Sequence, residues 1–331
     1  VAAILFIIKY SRINVVKYVL SGRSYRSTVN RAATHRWLLN QTGEQLQVLK
    51  LQGFLFFGTA NNLLAQVRKR AEDPELVPLR YVVFDFRHVS GLDSSALNSL
   101  GRMKQLAESR EITLVFTHLS SSLQSQFERG GFPRDGDGAY KFFPDLDHGV
   151  EWCEDLILGS EMKALQEKKD GHLREHTDVI FESTFDEMME TLKQQEDFER
   201  LVHRMKGYVE TLTLDVHSCL IRQGEPVNGL YFVETGQVTA YIEHADGKKV
   251  RLRTLGMGSI VGELGVYGGT SATASVIATR ESRIYYLSRD SLRQIEENDP
   301  EMAADLHKSI ARLLGERLAD ATRTIEALLE H

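Results

Sequence analysis

"VVFDFRHVSGLDSSALNSL", residues 82–100, changes its period halfway along. Val82 to Phe86 make a nearly continuous apolar run of the kind a strand buried on both faces requires. Past a short turn, Asp93 opens a segment in which Leu97, Leu100, Met103 and Leu106 recur at helical spacing. Aspartate suits that opening position because its carboxylate accepts an orphan backbone N–H of the first helical turn. A buried strand, a turn and a capped helix make one step of an α/β layer structure.

The same step repeats on either side. "QLQVLKLQGFLFFG" (45–58) supplies apolar runs, and "TANNLLAQVRKRAED" (59–73) places Leu63, Leu64 and Val67 on one helical face. Downstream, "ITLVFTHL" reads as a strand, "SSSLQSQFERGGF" as a helix closed by glycine and "AYKFFPDL" as a strand. A last helix follows near "HGVEWCEDLI". Residues 45–160 therefore read as an α/β domain, a mixed sheet with helices. Residues 161–197 are rich in charge and poor in strand formers, and they read as a partly helical linker.

Beyond residue 211 the pattern becomes one of short β segments punctuated by Gly224, Gly236, Gly247, Gly256, Gly258 and Gly262. Residues 198–331 accordingly read as a mainly β jelly roll or small barrel followed by a long C-terminal helix. The apolar stripe of that helix is Met302, Leu306, Ile310, Leu313, Leu314, Leu318, Ile325 and Leu328. It packs against the barrel or forms a dimer seam, and the spacing suits both.

At 331 residues, with 42% hydrophobic and 26% charged residues, the chain has the composition of two ordinary globular domains. Cys153 and Cys219 lie far apart with no metal-type spacing, which points to two small buried hydrophobes rather than a disulfide scaffold or zinc cluster. The net charge of -6 hides an asymmetry. No acidic residue precedes Glu44, whereas Lys9, Arg12, Lys17, Arg23, Arg26, Arg31 and Arg36 do; the rest carries 33 basic against 46 acidic residues. The head opens "VAAILFIIKY", an apolar run with its positive charge behind it. That order fits the cytoplasmic end of a transmembrane helix better than a signal peptide, with a buried strand or a soluble N-terminal helix as the alternatives. Residues 1–44 are thus expected to be the end of a last transmembrane helix and a basic juxtamembrane segment facing anionic lipid headgroups.

The motif at 82–100, with the "LQGFLFFGTANNLL" opening, resembles the STAS domain of anti-sigma-factor antagonists and of SulP-type anion transporters. In antagonist-type members the Ser after the Asp is the phosphoacceptor, so the resemblance makes Ser94 a candidate phosphoacceptor beside Asp93. The plainer reading is a helix cap and a first-turn residue. The second half resembles a cyclic nucleotide-binding domain over roughly residues 198–331. "LIRQGEPVNGLYFVETGQV" matches its early strands, and "LGMGSIVGELG" matches the start of its phosphate-binding cassette. SulP transporters joined to a STAS domain and then to this module are a known arrangement.

In the cassette of that family a Gly-Glu pair approaches the nucleotide, the Glu accepting from the ribose 2′-hydroxyl, and an Arg nine residues on pairs with the cyclic phosphate. Laid on "VGELGVYGGTSATASV" (261–276), the pattern assigns Gly262, Glu263 and Leu264 to the first part. It puts Ala272 at the Arg position, with Thr273 and Ala274 next. The bidentate cation of the phosphate is missing. Arg280, eight residues further along, is about 26 Å away on an extended strand and too far to substitute. Cyclic AMP or cyclic GMP is therefore expected to bind weakly or not at all, and no cofactor is expected. "HLREH" (172–176) fits a short zinc-peptidase pattern, but it sits in the charged linker without an assignable third ligand, and no metal is expected.

The resemblance implies a non-enzymatic regulatory region of a SulP-type secondary anion transporter at the cytoplasmic face of the plasma (inner) membrane. Its expected partners are its own transmembrane transport domain, anionic lipid headgroups and a second copy in a homodimer. The rival expectation is a soluble partner-switching protein phosphorylated at Ser94. A DNA-binding regulator is disfavoured, because the body is acidic and the sequence given stops at the long helix.

Overall fold

The computed structural model describes residues 14–31, 33–134, 138–170, 196, 200–245 and 247–329. The apolar run at residues 1–8 and the "HLREH" motif lie outside the described residues. The chain divides into two units: Val1–Ser27 and Trp37–His172 belong to the first, with the last ten residues, and Thr28–Arg36 and Leu173–Ala321 to the second.

The first unit is built on a five-stranded sheet in sequential order. Its strands are β1 (Val16–Ser21), β2 (Leu46–Leu55), β3 (Tyr81–Leu92), β4 (Thr113–Thr117) and β5 (Tyr140–Phe143). β1 runs antiparallel to β2, and the other pairs are parallel, so the sheet is mixed. Helices α1 (Ala33–Thr42), α2 (Phe57–Glu72), α3 (Ser94–Ser109), α4 (Ser121–Arg129) and α5 (Leu146–Asp170) cover both faces. On one face Leu49, Val82, Phe84 and Phe116 pack against Leu63 and Val67 of α2, Leu100 and Met103 of α3 and Phe127 of α4. On the other, Leu46, Val48, Val83 and Val115 meet Leu38 of α1 and Val150, Cys153 and Ile157 of α5. Apolar residues on both strand faces are what helices on both sides demand.

Two features depart from the sequence reading, and a third refines it. Val16–Ser21, expected in a juxtamembrane segment, is an edge strand of this sheet, with Val19 opposite Leu49. Lys17 and Tyr18, side by side within it, masked its alternation. Cys153 is buried as expected, whereas Cys219 is exposed. Residues 161–170, the start of the linker read as partly helical, are helical and continue α5.

The second unit is a six-stranded antiparallel sheet in the order β10-β8-β11-β6, with β7 on β11 and β9 on β8. The elements are β6 (Glu210–Leu214), β7 (Cys219–Ile221), β8 (Gly229–Glu243), β9 (Lys249–Gly256), β10 (Ile260–Val261) and β11 (Ser275–Ser288). A short helix α6 (Glu263–Gly268) follows β10, and α7 (Arg289–Asn298) and α8 (Pro300–Leu329) come last. Val233, Val238, Leu255, Val276, Ala278 and Ile284 fill the inside of the roll. Its outer apolar side, Leu230, Phe232, Ile260 and Leu287, packs on Leu292 and Ile295 of α7 and on Met302, Leu306 and Ile310 of α8. The stripe of α8 is spent only in part, for Leu318 is 69% exposed and Ile325 56%. Residues 28–30 add to the edge of β9: Asn30 N–H donates to the Thr254 carbonyl at 2.7 Å, and Thr254 N–H donates to that of Thr28 at 3.1 Å. Among the described residues no helix is long and apolar enough to cross a membrane.

Candidate functional site

The cassette lies between β10 and β11. Gly262 caps α6 with φ of +92°, a left-handed conformation that side chains resist. A Cβ there would come within 2.6 Å of the Gly229 carbonyl oxygen. Only glycine lets the chain turn from β10 into α6 this close to β8.

Glu263, the first residue of α6, is buried. Its carboxylate is paired with the guanidinium of Arg317 on α8, which also donates from Nη2 to the Ile260 carbonyl at 3.0 Å. A buried carboxylate requires such a partner, because stripping it of water without one is costly. Arg289 holds the other end of α6: it donates to the carbonyls of Gly265 at 2.7 Å, Val266 at 3.3 Å and Val227 at 3.1 Å. Tyr267 extends the attachment. Its hydroxyl lies 2.7 Å from His307 Nδ1 on α8, and His307 Nε2 lies 3.3 Å from Glu296 on α7. Burial, followed by the nearby Glu296 charge, pushes the Tyr267 hydroxyl up to about 12.

Ala272 stands where a phosphate-binding Arg would be expected. It is buried in the apolar interior of the roll with Val227, Val261 and Val276. Both its backbone groups are used: its N–H donates to the Glu225 carbonyl at 2.8 Å, and its carbonyl accepts from Gly224 N–H at 2.8 Å. Leu264 and Thr273 are exposed and Ala274 is half-buried. The structure thus brings Gly262, Glu263 and Arg317 together, while Arg280 sits on β11 opposite Gln237 of β8. Sequence reading missed Arg317 and Arg289. The signal for Arg317 was present in the stripe itself, because it falls at the next inward position after Ile310 and Leu313/Leu314.

In the first unit, Asp93 caps α3: its Oδ1 accepts from Ala96 N–H at 2.7 Å and from the Ser95 hydroxyl at 2.7 Å. Ser94 beside it is exposed. Directly after β4, His118 has φ of +57°. Its Nδ1 is 2.8 Å from Asp85 Oδ1 and its Nε2 is 3.0 Å from Arg87 Nη2.

Comparisons with known proteins follow the same division. Residues 39–148 match the STAS domain family and residues 212–299 the cyclic nucleotide-binding domain family. The chain is 27% identical over 183 residues to the vacuolar basic amino acid transporter VSB1 of Saccharomyces cerevisiae, covering 53% of this chain and 17% of that protein. It is 25% identical over 314 residues to Glutaminase 2 of Bradyrhizobium diazoefficiens, covering 94% of this chain and 45% of that one. Over 98 residues it is 33% identical to the cAMP-activated global transcriptional regulator CRP of Salmonella typhimurium, covering 29% of this chain and 47% of the regulator. The chain spans less than half the length of each of these relatives. What the matched segments and the two folds establish together is a STAS domain followed by a cyclic nucleotide-binding domain, both of them regulatory rather than catalytic modules.

Proposed function

We propose that this chain is the cytoplasmic regulatory region of a SulP-type secondary anion transporter. Its STAS domain docks and gates the transport domain, and its cyclic nucleotide-binding domain is a degenerate sensor. The observation that carries the regulatory reading is the company these domains keep. Stretches similar to this chain occur in proteins named for unrelated activities, a transporter and a glutaminase, and make up 17% and 45% of them. A segment common to such proteins is best read as the part that controls. The membrane attachment rests on the acid-free basic head with its apolar run.

The cassette supports the degenerate reading. Its phosphate position is a buried alanine and its acidic residue is held by Arg317. A nucleotide would meet a glutamate already neutralised by the protein and an alanine, not an arginine, at position 272.

The test is to extend the coding sequence upstream and to measure sulfate and bicarbonate uptake by the whole protein in cells lacking their own carriers. Upstream membrane helices and uptake altered by changes in the STAS domain are expected. An upstream sequence without membrane helices would overturn the reading.

A further inference from the structure

Phe54 and Phe57 stand out of the first unit, 51% and 52% exposed, on either side of the buried Leu55 and half-buried Phe56. They sit at one rim of the sheet, Phe54 near the end of β2 and Phe57 at the start of α2. The local backbone aims Phe54 outward. Gly53 has φ of +75°, and the pairing of β2 with β3 slips between Gly53 and Phe54. Such a bulge redirects the side chain that follows it. The Phe54 ring lies over Gly91, where a Cβ would come within 2.9 Å of the ring.

Exposed basic side chains stand near this rim. Lys17 of β1 and Arg87 and His88 of the β3 arm are exposed, and His88 lies opposite Gln52. Of the acids near them, Asp93 is engaged in capping α3 and Asp85 is buried against His118, while Asp145 and Asp147 act on the same Tyr25 as Arg87.

The chain also enters the unit here. The Val15 carbonyl accepts from Gln52 N–H at 2.8 Å, and Val16 pairs with Leu51. Six residues carry the chain from Ile8, the last residue of the apolar run, to Asn14. Fully extended they span about 20 Å. An apolar run embedded in a bilayer therefore holds this rim near the lipid surface.

We propose that Phe54 and Phe57, flanked by Lys17, Arg87 and His88, dock the STAS unit onto the surface of an anionic lipid bilayer. The inference rests on the proposed membrane attachment of the head. Aromatic rings settle at the headgroup level, and cations beside them are drawn to the negative leaflet.

The experiment uses the whole chain with Phe54→Trp as the reporter, and with Leu76→Trp in the loop leading to β3 as the control. The wild type, with Trp37 and Trp152, supplies the background. Vesicles are phosphatidylcholine alone or mixed with phosphatidylserine, with and without brominated acyl chains. Brominated phosphatidylserine-containing vesicles are expected to blue-shift the emission of the Phe54→Trp chain and to quench it at least twofold, leaving the Leu76→Trp chain at the background. Co-sedimentation of the Phe54→Trp chain without quenching overturns the docking surface and leaves the membrane attachment standing. Failure of the wild type to co-sediment overturns both. Equal quenching of the Leu76→Trp chain also overturns the surface, as does a blue shift that needs a co-purified membrane protein and shows no bromine quenching.

Discussion

Arg317 on α8 closes onto Glu263, the acidic residue of the cassette, across 54 residues of sequence, and ties it to the Ile260 carbonyl as well. The pair is nearly dry, with side-chain exposures of 18% for Arg317 and 4% for Glu263. Replacing Arg317 by Met strands a buried carboxylate and is expected to cost about 3–5 kcal/mol. Replacing both residues, Glu263→Gln with Arg317→Met, should recover most of that loss. Hydrogen exchange at the Val266 and Ala278 amides, read alongside urea unfolding, measures it. An Arg317→Met chain as stable as the wild type would show that the pair holds nothing.

The second prediction concerns Ala272. Titration calorimetry of the whole chain with cyclic AMP should show no low-micromolar binding. The missing charge pair is worth about 2–5 kcal/mol, so Ala272→Arg should tighten binding by about one and a half decades or more. The same substitution puts a charge into the apolar interior of the roll and should lower the stability of the unliganded chain.

Asp85 gives a pH dependence. Burial pushes its carboxyl up, but the hydrogen bond and charge of His118 and the Arg87 backbone N–H outweigh burial and leave it below the usual carboxylate value. A carboxyl depressed in the folded state contributes stability above its unfolded pKa, and that contribution is lost as the pH falls through the folded value. Stability should therefore drop below about pH 4, and Asp85→Asn should flatten that part of the profile. Near-ultraviolet circular dichroism during urea unfolding at stepped pH reads it.

The fourth prediction separates capping from modification. Asp93→Ala removes the acceptor of the Ala96 N–H and should cost about 1 kcal/mol. Ser94→Glu, at an exposed first-turn position, should change stability by no more than about 0.5 kcal/mol. Thermal unfolding distinguishes the two.

The alternation of strand and helix between residues 45 and 160 was legible because each strand is apolar on both faces and each helix carries its own stripe. β1 was not, because Lys17 and Tyr18 interrupt its alternation and its partner β2 lies 30 residues on. The cassette could be read from Gly262 and Glu263, whose local geometry sets their role. Its closure by Arg289 could not, and Arg317 shows in the sequence only as the next inward position of the α8 stripe, because the folded chain alone brings both near the cassette.

The attachment of Thr28–Asn30 to β9 bears on how this protein is divided for experiment. A fragment starting at residue 198 omits the carbonyl of Thr28 and the amide of Asn30, so the Thr254 N–H and C=O lose their partners at 3.1 and 2.7 Å. It also drops Asn30 Nδ2, which donates to the Ser259 hydroxyl at 3.0 Å just before the cassette. An excised nucleotide-binding domain would present a bare strand edge to its own copies, and its self-association would be a product of the cut.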